Sequence, residues 1–350
     1  MEDSILFKKV YGCILGFCIG DAMGGPVENM PIGDLVDKYG KLTTFLPYDR
    51  SRVERGMAGD FYGGYALRLE PGVYTDDGRN SLIWIQAIIR KRGRVVWPDV
   101  TETLIEARFH DAMLPRGPEK IWAERCYKSA LRGEYPTWNF SAMGLGLINA
   151  CNPEQAVADA GDDWLVVQHG DGFFAAAIAE AMKPDATVDS AIEAALRYGD
   201  RAIMTGWDIG LRKGRTRRMK GAIERCLEVA KDCKDIWELR DRWDWHREGY
   251  QSLAFGMFYR SGGDPEEAIL GGVNAGDDTV PHFSGGMAGA LMGVDAIPSE
   301  WIEVVEKANP VPDLRETAER MTEAVRKHLQ HLEEQRDDLQ VQIESLKALI

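Results

Sequence analysis

Apolar residues recur at helical spacing in five stretches, residues 79–91 (RNSLIWIQAIIRK), 154–160, 173–182, 188–199 and 220–231. Each predicts a helix with a buried face. Alternating runs bounded by turns, the signature of strands, are few. Loops rich in Gly, Pro and Asp separate the helices, as in Glu70-Pro71-Gly72 and Ser261-Gly262-Gly263-Asp264-Pro265. The expected fold class is all-α. Glycine also recurs every four residues, at Gly12, Gly16, Gly20 and Gly24 and again at Gly285, Gly289 and Gly293. A four-residue step keeps a residue near one helix face, so these segments read as buried helices whose backbones approach closely.

The last part of the chain has a different period. Asn309-Pro310-Val311-Pro312 breaks the pattern. Beyond it Val325, Leu329, Leu332, Leu339, Ile343, Leu346 and Ile350 alternate in steps of four and three, with Arg336 the one polar residue on the seam. The expectation is a body at 1–308 and a C-terminal helix at 313–350. That helix joins copies into a homo-oligomer through a coiled coil, or else folds back on the body. Arg336 in the seam disfavours a large bundle.

Composition narrows the function classes. The chain has 350 residues, 45% hydrophobic and 28% charged, with a net charge of −14. That is an ordinary folded composition, and too acidic for a general binder of nucleic acid or anionic membrane. No uninterrupted apolar run reaches about 18 residues, so no membrane span is expected. The start, MEDSILFKKVYG, is unlike a secretory signal. The six cysteines, Cys13, Cys18, Cys126, Cys151, Cys226 and Cys233, form no CxxC pair and read as reduced thiols of a cytoplasmic protein. Six histidines without an HExxH pair argue against a zinc enzyme with His and Cys ligands.

Three clusters can carry chemistry. Tyr74-Thr75-Asp76-Asp77-Gly78 stands before a predicted helix, and Asn274-Ala275-Gly276-Asp277-Asp278-Thr279 stands before the second glycine-stepped segment. Each offers a hydroxyl and two carboxylates, hard oxygen donors of the kind Mg²⁺ or Mn²⁺ takes. The same residues also make good helix caps, so each cluster alone has a plain structural reading. Third, Asp21 interrupts the first apolar segment and Glu28 follows it. A buried carboxylate is costly unless paired or ligated.

In this order the blocks GCILGFCIGDAMGGPVE, YTDD, WNFSAMGLGLINACNPEQ and GGVNAGDDT with GGMAGALMG resemble the ADP-ribosylglycohydrolase superfamily over about residues 8–305. The resemblance implies a compact multi-helix domain around one or two Mg²⁺ (or Mn²⁺) ions. It implies hydrolysis of an N- or O-glycosidic bond to a ribosyl or ADP-ribosyl small-molecule substrate. Carried over by motif, Thr75, Asp76, Asp77, Asp278 and Thr279 are metal ligands, and Glu28 and Asp77 are catalytic. Asp21, Asn139, Ser141, His169 and Asn274 face substrate. Two departures stand out. The early motif ends in Gly78, and the late motif has Val280-Pro281 where a second acid is expected. Counting back from Gly289 puts His282 in that acid's place, so a second ion is lost, or held by His282 or Asp277. The alternative function is a catalytically degenerate member that binds a ligand or serves a structural role.

Overall fold

The computed structural model describes residues 4–51, 70–93, 95, 99–100, 102–103, 140–161, 170–199 and 209–349. Among the described residues it has fifteen α-helices and no strand, as the periodicity predicts. Eight helices position the site and are labelled α1 (Ile5–Gly24), α2 (Asp76–Lys91), α3 (Ala142–Ile148), α4 (Asp171–Ala181), α5 (Tyr250–Arg260), α6 (Pro265–Val273), α7 (Thr279–Met292) and α8 (Leu314–Lys347). The five periodic stretches all fall on helices, within a residue at their C-terminal ends.

The centre is α1. Its N-cap is Ser4, whose hydroxyl oxygen accepts from the Phe7 N–H at 3.2 Å. From Phe7 to Gly24 every residue except Lys8 is buried. By length and composition the segment Ile5–Val27 is apolar enough to cross a membrane, with mean hydropathy 1.4, yet its most apolar stretch is buried inside the protein. Length and composition alone give this helix the character of a span, although no uninterrupted apolar run of about 18 residues is present. A helix packed by protein on every side needs the same all-round apolar surface as one packed by lipid.

The glycine steps of α1 and α7 face each other. A Cβ on Gly16 would sit 2.1 Å from the carbonyl oxygen of Gly285, and one on Gly289 would sit 2.0 Å from that of Gly12. Gly20 meets Pro281 and Gly24 meets Asp277 and Asp278 in the same way. The two helices are therefore antiparallel and in backbone contact over most of their length. The C-terminal end of one lies against the N-terminal end of the other. Lys9 fastens the opposite end. Its buried ammonium donates to the carbonyls of Ala181 (2.6 Å), Lys183 (3.2 Å) and Leu291 (2.9 Å), placing a cation at the negative C-terminal ends of α4 and α7.

Around this pair the core is close-packed aromatic and aliphatic surface. The Phe174 ring stacks 3.8 Å from Phe283 on one side and 5.0 Å from Phe255 on the other. The terminal helix also begins in this core, since Leu314, Ala318, Met321 and Val325 are buried in the same cluster as α1. The body therefore does not end at residue 308. The stripe of apolar residues on α8 docks first on the body and leaves it only after Val325.

Replacing Gly16 by Ala should lower stability by about 1–3 kcal/mol or more, because the methyl group has only backbone to displace. Gly33→Ala, where a Cβ meets nothing within 4 Å, is the control. It should change stability by less than about 1 kcal/mol, in the stabilising direction expected for a helical Gly→Ala change. Chemical denaturation of the two variants beside the parent checks both.

Candidate functional site

Where α1 ends, three segments meet: Asp21 to Glu28, the start of α2, and the approach to α7. The α1–α7 contact brings the first and third together, since a Cβ on Gly24 would lie 2.4 Å from the Asp277 carbonyl oxygen and 2.5 Å from Cα of Asp278. Asp21 brings in the second. Fully buried, it accepts at Oδ2 from the backbone N–H of Thr75 (2.9 Å) and of Gly78 (2.7 Å), and at Oδ1 from the Thr75 hydroxyl. It thus caps α2 from another helix, satisfying N–H groups that helix start leaves open. A Cβ on residue 78 would lie 2.7 Å from Asp21 Oδ2, so the glycine that departs from the family pattern is the residue this approach accommodates.

Thr75 and Asp278 occupy the N-cap positions of α2 and α7, yet neither side chain caps its own helix. An N-cap hydroxyl or carboxylate ordinarily accepts from the N–H two or three residues on. Here the two turn toward each other, with Thr75 Oγ1 3.3 Å from Asp278 Oδ2. One hydroxyl proton cannot serve both Asp21 and Asp278. The capping of α7 falls to Asp277, whose Oδ1 accepts from the Val280 N–H at 2.6 Å. The Thr279 hydroxyl reaches Asp278 Oδ1 at 3.4 Å. Asp76 and Asp77 lie buried in the first turn of α2.

Six carboxyl groups therefore share one buried junction, and its electrostatics are strained. Burial raises the pKa of every one. Asp76 and Asp277 are pushed up to about 6, Asp21 to about 7 and Glu28 to about 8. Asp77 and Asp278 lie well above the usual carboxylate range. Repulsion adds to burial: Asp76 and Asp277 act on Glu28, and Glu28 and Asp77 act on Asp278. The Arg79 guanidinium opposes the shift at Asp76, and two helix N-termini point their positive ends at the cluster. Asp77 Oδ2 is buried without a hydrogen-bond partner. An orphaned carboxylate oxygen, hydroxyls beside it and excess negative charge suit a hard divalent cation. The residues Thr75, Asp76, Asp77, Asp278 and Thr279 fit that donor set. Among the described residues no three acidic, histidine or cysteine side chains are already drawn together around one point.

Other expected site residues stand elsewhere. His282 is fully buried on α7, between the rings of Phe17 (5.1 Å) and Phe140 (5.3 Å), with Nε2 3.1 Å from Ser81 Oγ. Burial pulls its pKa down to about 3, so it is a neutral imidazole, and its Nε2 is turned to Ser81 on α2. Asp277 stands among the carboxylates, acting on Glu28 and Asp278. Asn274 is also a scaffold residue. Its Oδ1 accepts from the Leu42 N–H, and its Nδ2 donates to the carbonyls of Leu42 and Leu270, which uses both of its N–H bonds within the fold. Ser141 gives its N–H and hydroxyl to Asp171 Oδ2 at 2.8 and 2.7 Å, joining the start of α3 to the start of α4. Asn139 and His169 lie outside the described residues.

The sequence reading passed over two tyrosines. Tyr48 is buried behind the junction, donating to the Val73 carbonyl at 2.8 Å, and its pKa is raised by burial and then by Asp21, Asp278 and Glu28. Tyr250, at the start of α5, lies parallel to Phe283, and after burial Asp171, Asp77 and Asp277 raise its pKa. Nothing in the residues around Tyr48 or Tyr250 marks either. Only the fold places them beside acids distant in sequence.

A carboxyl whose pKa is higher in the folded chain than its value of about 4 when unfolded holds its proton more tightly when folded. Such a group stabilises the fold at low pH, and that contribution is lost as pH rises through the folded pKa. Without divalent cation, the melting temperature should therefore fall between about pH 4 and the Glu28 value of about 8. Added Mg²⁺ or Mn²⁺ should restore it most at the alkaline end. Thermal melts across that range, with and without cation, check both; a flat profile would contradict the buried cluster.

Comparison with known proteins gives the family. The family model described as ADP-ribosylglycohydrolase matches residues 2–333. Over 82 residues the chain is 35% identical to an ADP-ribosyl-[dinitrogen reductase] glycohydrolase of Rhodospirillum rubrum, covering 23% of this chain and 22% of that protein. A similar match, 32% identical over 82 residues and 23% and 22% of the two chains, is to an uncharacterized protein of Archaeoglobus fulgidus. The chain thus spans about a fifth of the length of the curated relatives it matches. A solved structure described as an ADP-ribosylglycohydrolase-related protein complex shares the fold. Its TM-score is 0.56 at 22% identity, covering 91% of this chain and 97% of that one. The chain belongs to the ADP-ribosylglycohydrolase family, a family of hydrolases that cleave glycosidic bonds.

Proposed function

We propose that the protein is a divalent-cation-dependent glycoside hydrolase that cleaves an N- or O-glycosidic bond to a ribosyl-type sugar, in an ADP-ribosyl or nucleoside-like substrate. The observation that carries this reading is the pair of helix starts whose cap residues, Thr75 and Asp278, face each other instead of their own helices. Thr75, Asp76, Asp77, Asp278 and Thr279 would hold Mg²⁺ or Mn²⁺. Such a cation supplies positive charge that neutralises the carboxylates and polarises oxygen ligands.

The chain's own residues supply the remainder. Glu28 is half-buried at the rim of the junction, and Asn29 Nδ2 donates to its Oε1 at 3.1 Å. Titrating near neutrality, it passes a proton between the attacking water and the leaving atom. The ionised carboxylates beside it stabilise the positive charge that grows on the sugar as the bond breaks. Asp21 orients the start of α2 and so holds Thr75, Asp76 and Asp77 in place.

A ligand-binding role without turnover is the second reading. It is favoured by Val280, a fully buried apolar side chain in the stretch where the family pattern has a second acid.

The deciding assay is release of free sugar or ADP-ribose from ADP-ribosylated peptide and from nucleosides, with and without Mg²⁺ or Mn²⁺. The hydrolase reading expects cation-dependent release. Cation binding with no release from any of these substrates favours the second reading. Asp76→Ala with Asp77→Ala should abolish both turnover and the rise in melting temperature that cation binding produces by mass action. Glu28→Gln should lower kcat by about 10²–10⁴-fold and leave the cation-induced rise in place.

A further inference from the structure

Helix α8 changes environment along its length without changing face. Leu314, Ala318, Met321 and Val325 are buried against the body. Beyond them Leu329 and Leu339 are each 55% exposed, Leu346 53%, and Leu332 and Ile343 each 45%. At about 100° per residue the two sets form one continuous stripe. The body covers the first part of it. Six of the eleven exposed large apolar side chains among the described residues lie on the part of this helix that has left the body, and Leu349 follows just beyond its end.

We propose that this stripe is covered by the same stretch of a second copy of the chain, running antiparallel in a two-stranded coil. A seam with a 4-3 repeat is filled by knobs from a helix of the same repeat, which a second copy supplies. Direction follows from the continuity of the stripe. Below Val325 the body occupies the seam side of α8. A parallel partner helix lying on Leu329–Leu346 would run on into that volume, bringing its own body with it. An antiparallel partner brings the end of its own helix, capped at Ala348, to that point instead. The stretch from Leu329 to Leu346 is about 26 Å long at about 1.5 Å per residue, which sets the two bodies at opposite ends.

The register is consistent layer by layer. Leu329 meets Leu346 of the partner subunit, Leu332 meets Ile343 of the partner subunit, and Arg336 meets Leu339 of the partner subunit. These layers repeat about one two-fold axis, so the contact closes on itself as a dimer. The Arg336 guanidinium is already held by Asp337 Oδ1, at 3.0 Å from Nε and 2.9 Å from Nη2. Its stem covers the opposing leucine while its head stays in water. In a parallel coil in register, two Arg336 side chains would face each other across the seam. Beside the seam the antiparallel register pairs Glu333 with Gln340 and Gln335 with Gln342. Its like-charged pair, Arg326 with Lys347, falls at the outer ends, where Arg326 is turned to Ser4 of its own body.

The test uses the full chain at micromolar concentration. Light scattering after gel filtration should give a dimer mass. Leu332→Glu combined with Ile343→Glu should halve that mass while the body still melts in a cooperative transition, since both side chains stand off the body. Direction is read by oxidative cross-linking, with the parent chain as baseline for its native cysteines. Leu332→Cys and Ile343→Cys together should give a covalent dimer, and neither alone should do so. A monomeric parent, a dimer that survives the glutamate substitutions, a mass above two chains, or cross-linking by Leu332→Cys alone would each overturn the proposal.

Discussion

The architecture depends on two backbones touching. Along α1 and α7, Gly12 faces Gly289 and Gly16 faces Gly285, at separations where a Cβ on either side would overlap a carbonyl. Contact this close ties the end of α1 to the start of α7. Asp21 and Glu28 are thereby carried to the Asp277–Asp278 pair, more than 240 residues later in the chain. A helix axis moved outward by even one methyl layer would separate those acids. Lys9 works at the far end of the same pair, where its three carbonyl partners hold α4 and α7 to α1.

The junction so formed carries an electrostatic load that the fold relieves only in part. Six carboxyl groups are desolvated together, and their pKa values all rise. Two helix N-termini, three donors on Asp21 and the Arg79 guanidinium offset part of it. Such a site stores affinity for positive charge. The same desolvated charge that weakens the protein at alkaline pH is what a hard cation would neutralise.

Much of this junction was legible in the residues themselves. The paired carboxylates after Thr75 and before Thr279 announce oxygen chemistry, and the glycine steps beside them announce close helix packing. Other positions were not legible. His282 lies at the place of a missing acid in the motif, but a helix that enters the core turns it toward Ser81, Phe17 and Phe140. Asn274 stands next to the acids in sequence, yet its amide is consumed by the Leu42 backbone. Adjacency along the chain says which residues are near, and the direction of the side chain then decides which act.

The sequence by itself determined that the chain is helical, that α1 and α7 have small faces, and that the acids come in pairs at helix starts. These are properties of local period and composition, which the backbone obeys wherever it goes. Only the tertiary structure decided which cap residues would abandon their caps. Thr75 turns away from its own helix because Asp21, brought in by packing, satisfies N–H groups at that helix start, while Asp278 is relieved locally by its neighbour Asp277 and is met across the junction by Thr75. Likewise the 4-3 stripe of α8 is one pattern in sequence, and the end of the body at Val325 divides it into a docked part and an exposed one. Hydrogen-bond partners and burial are set by what else arrives in space, and no local window contains that information.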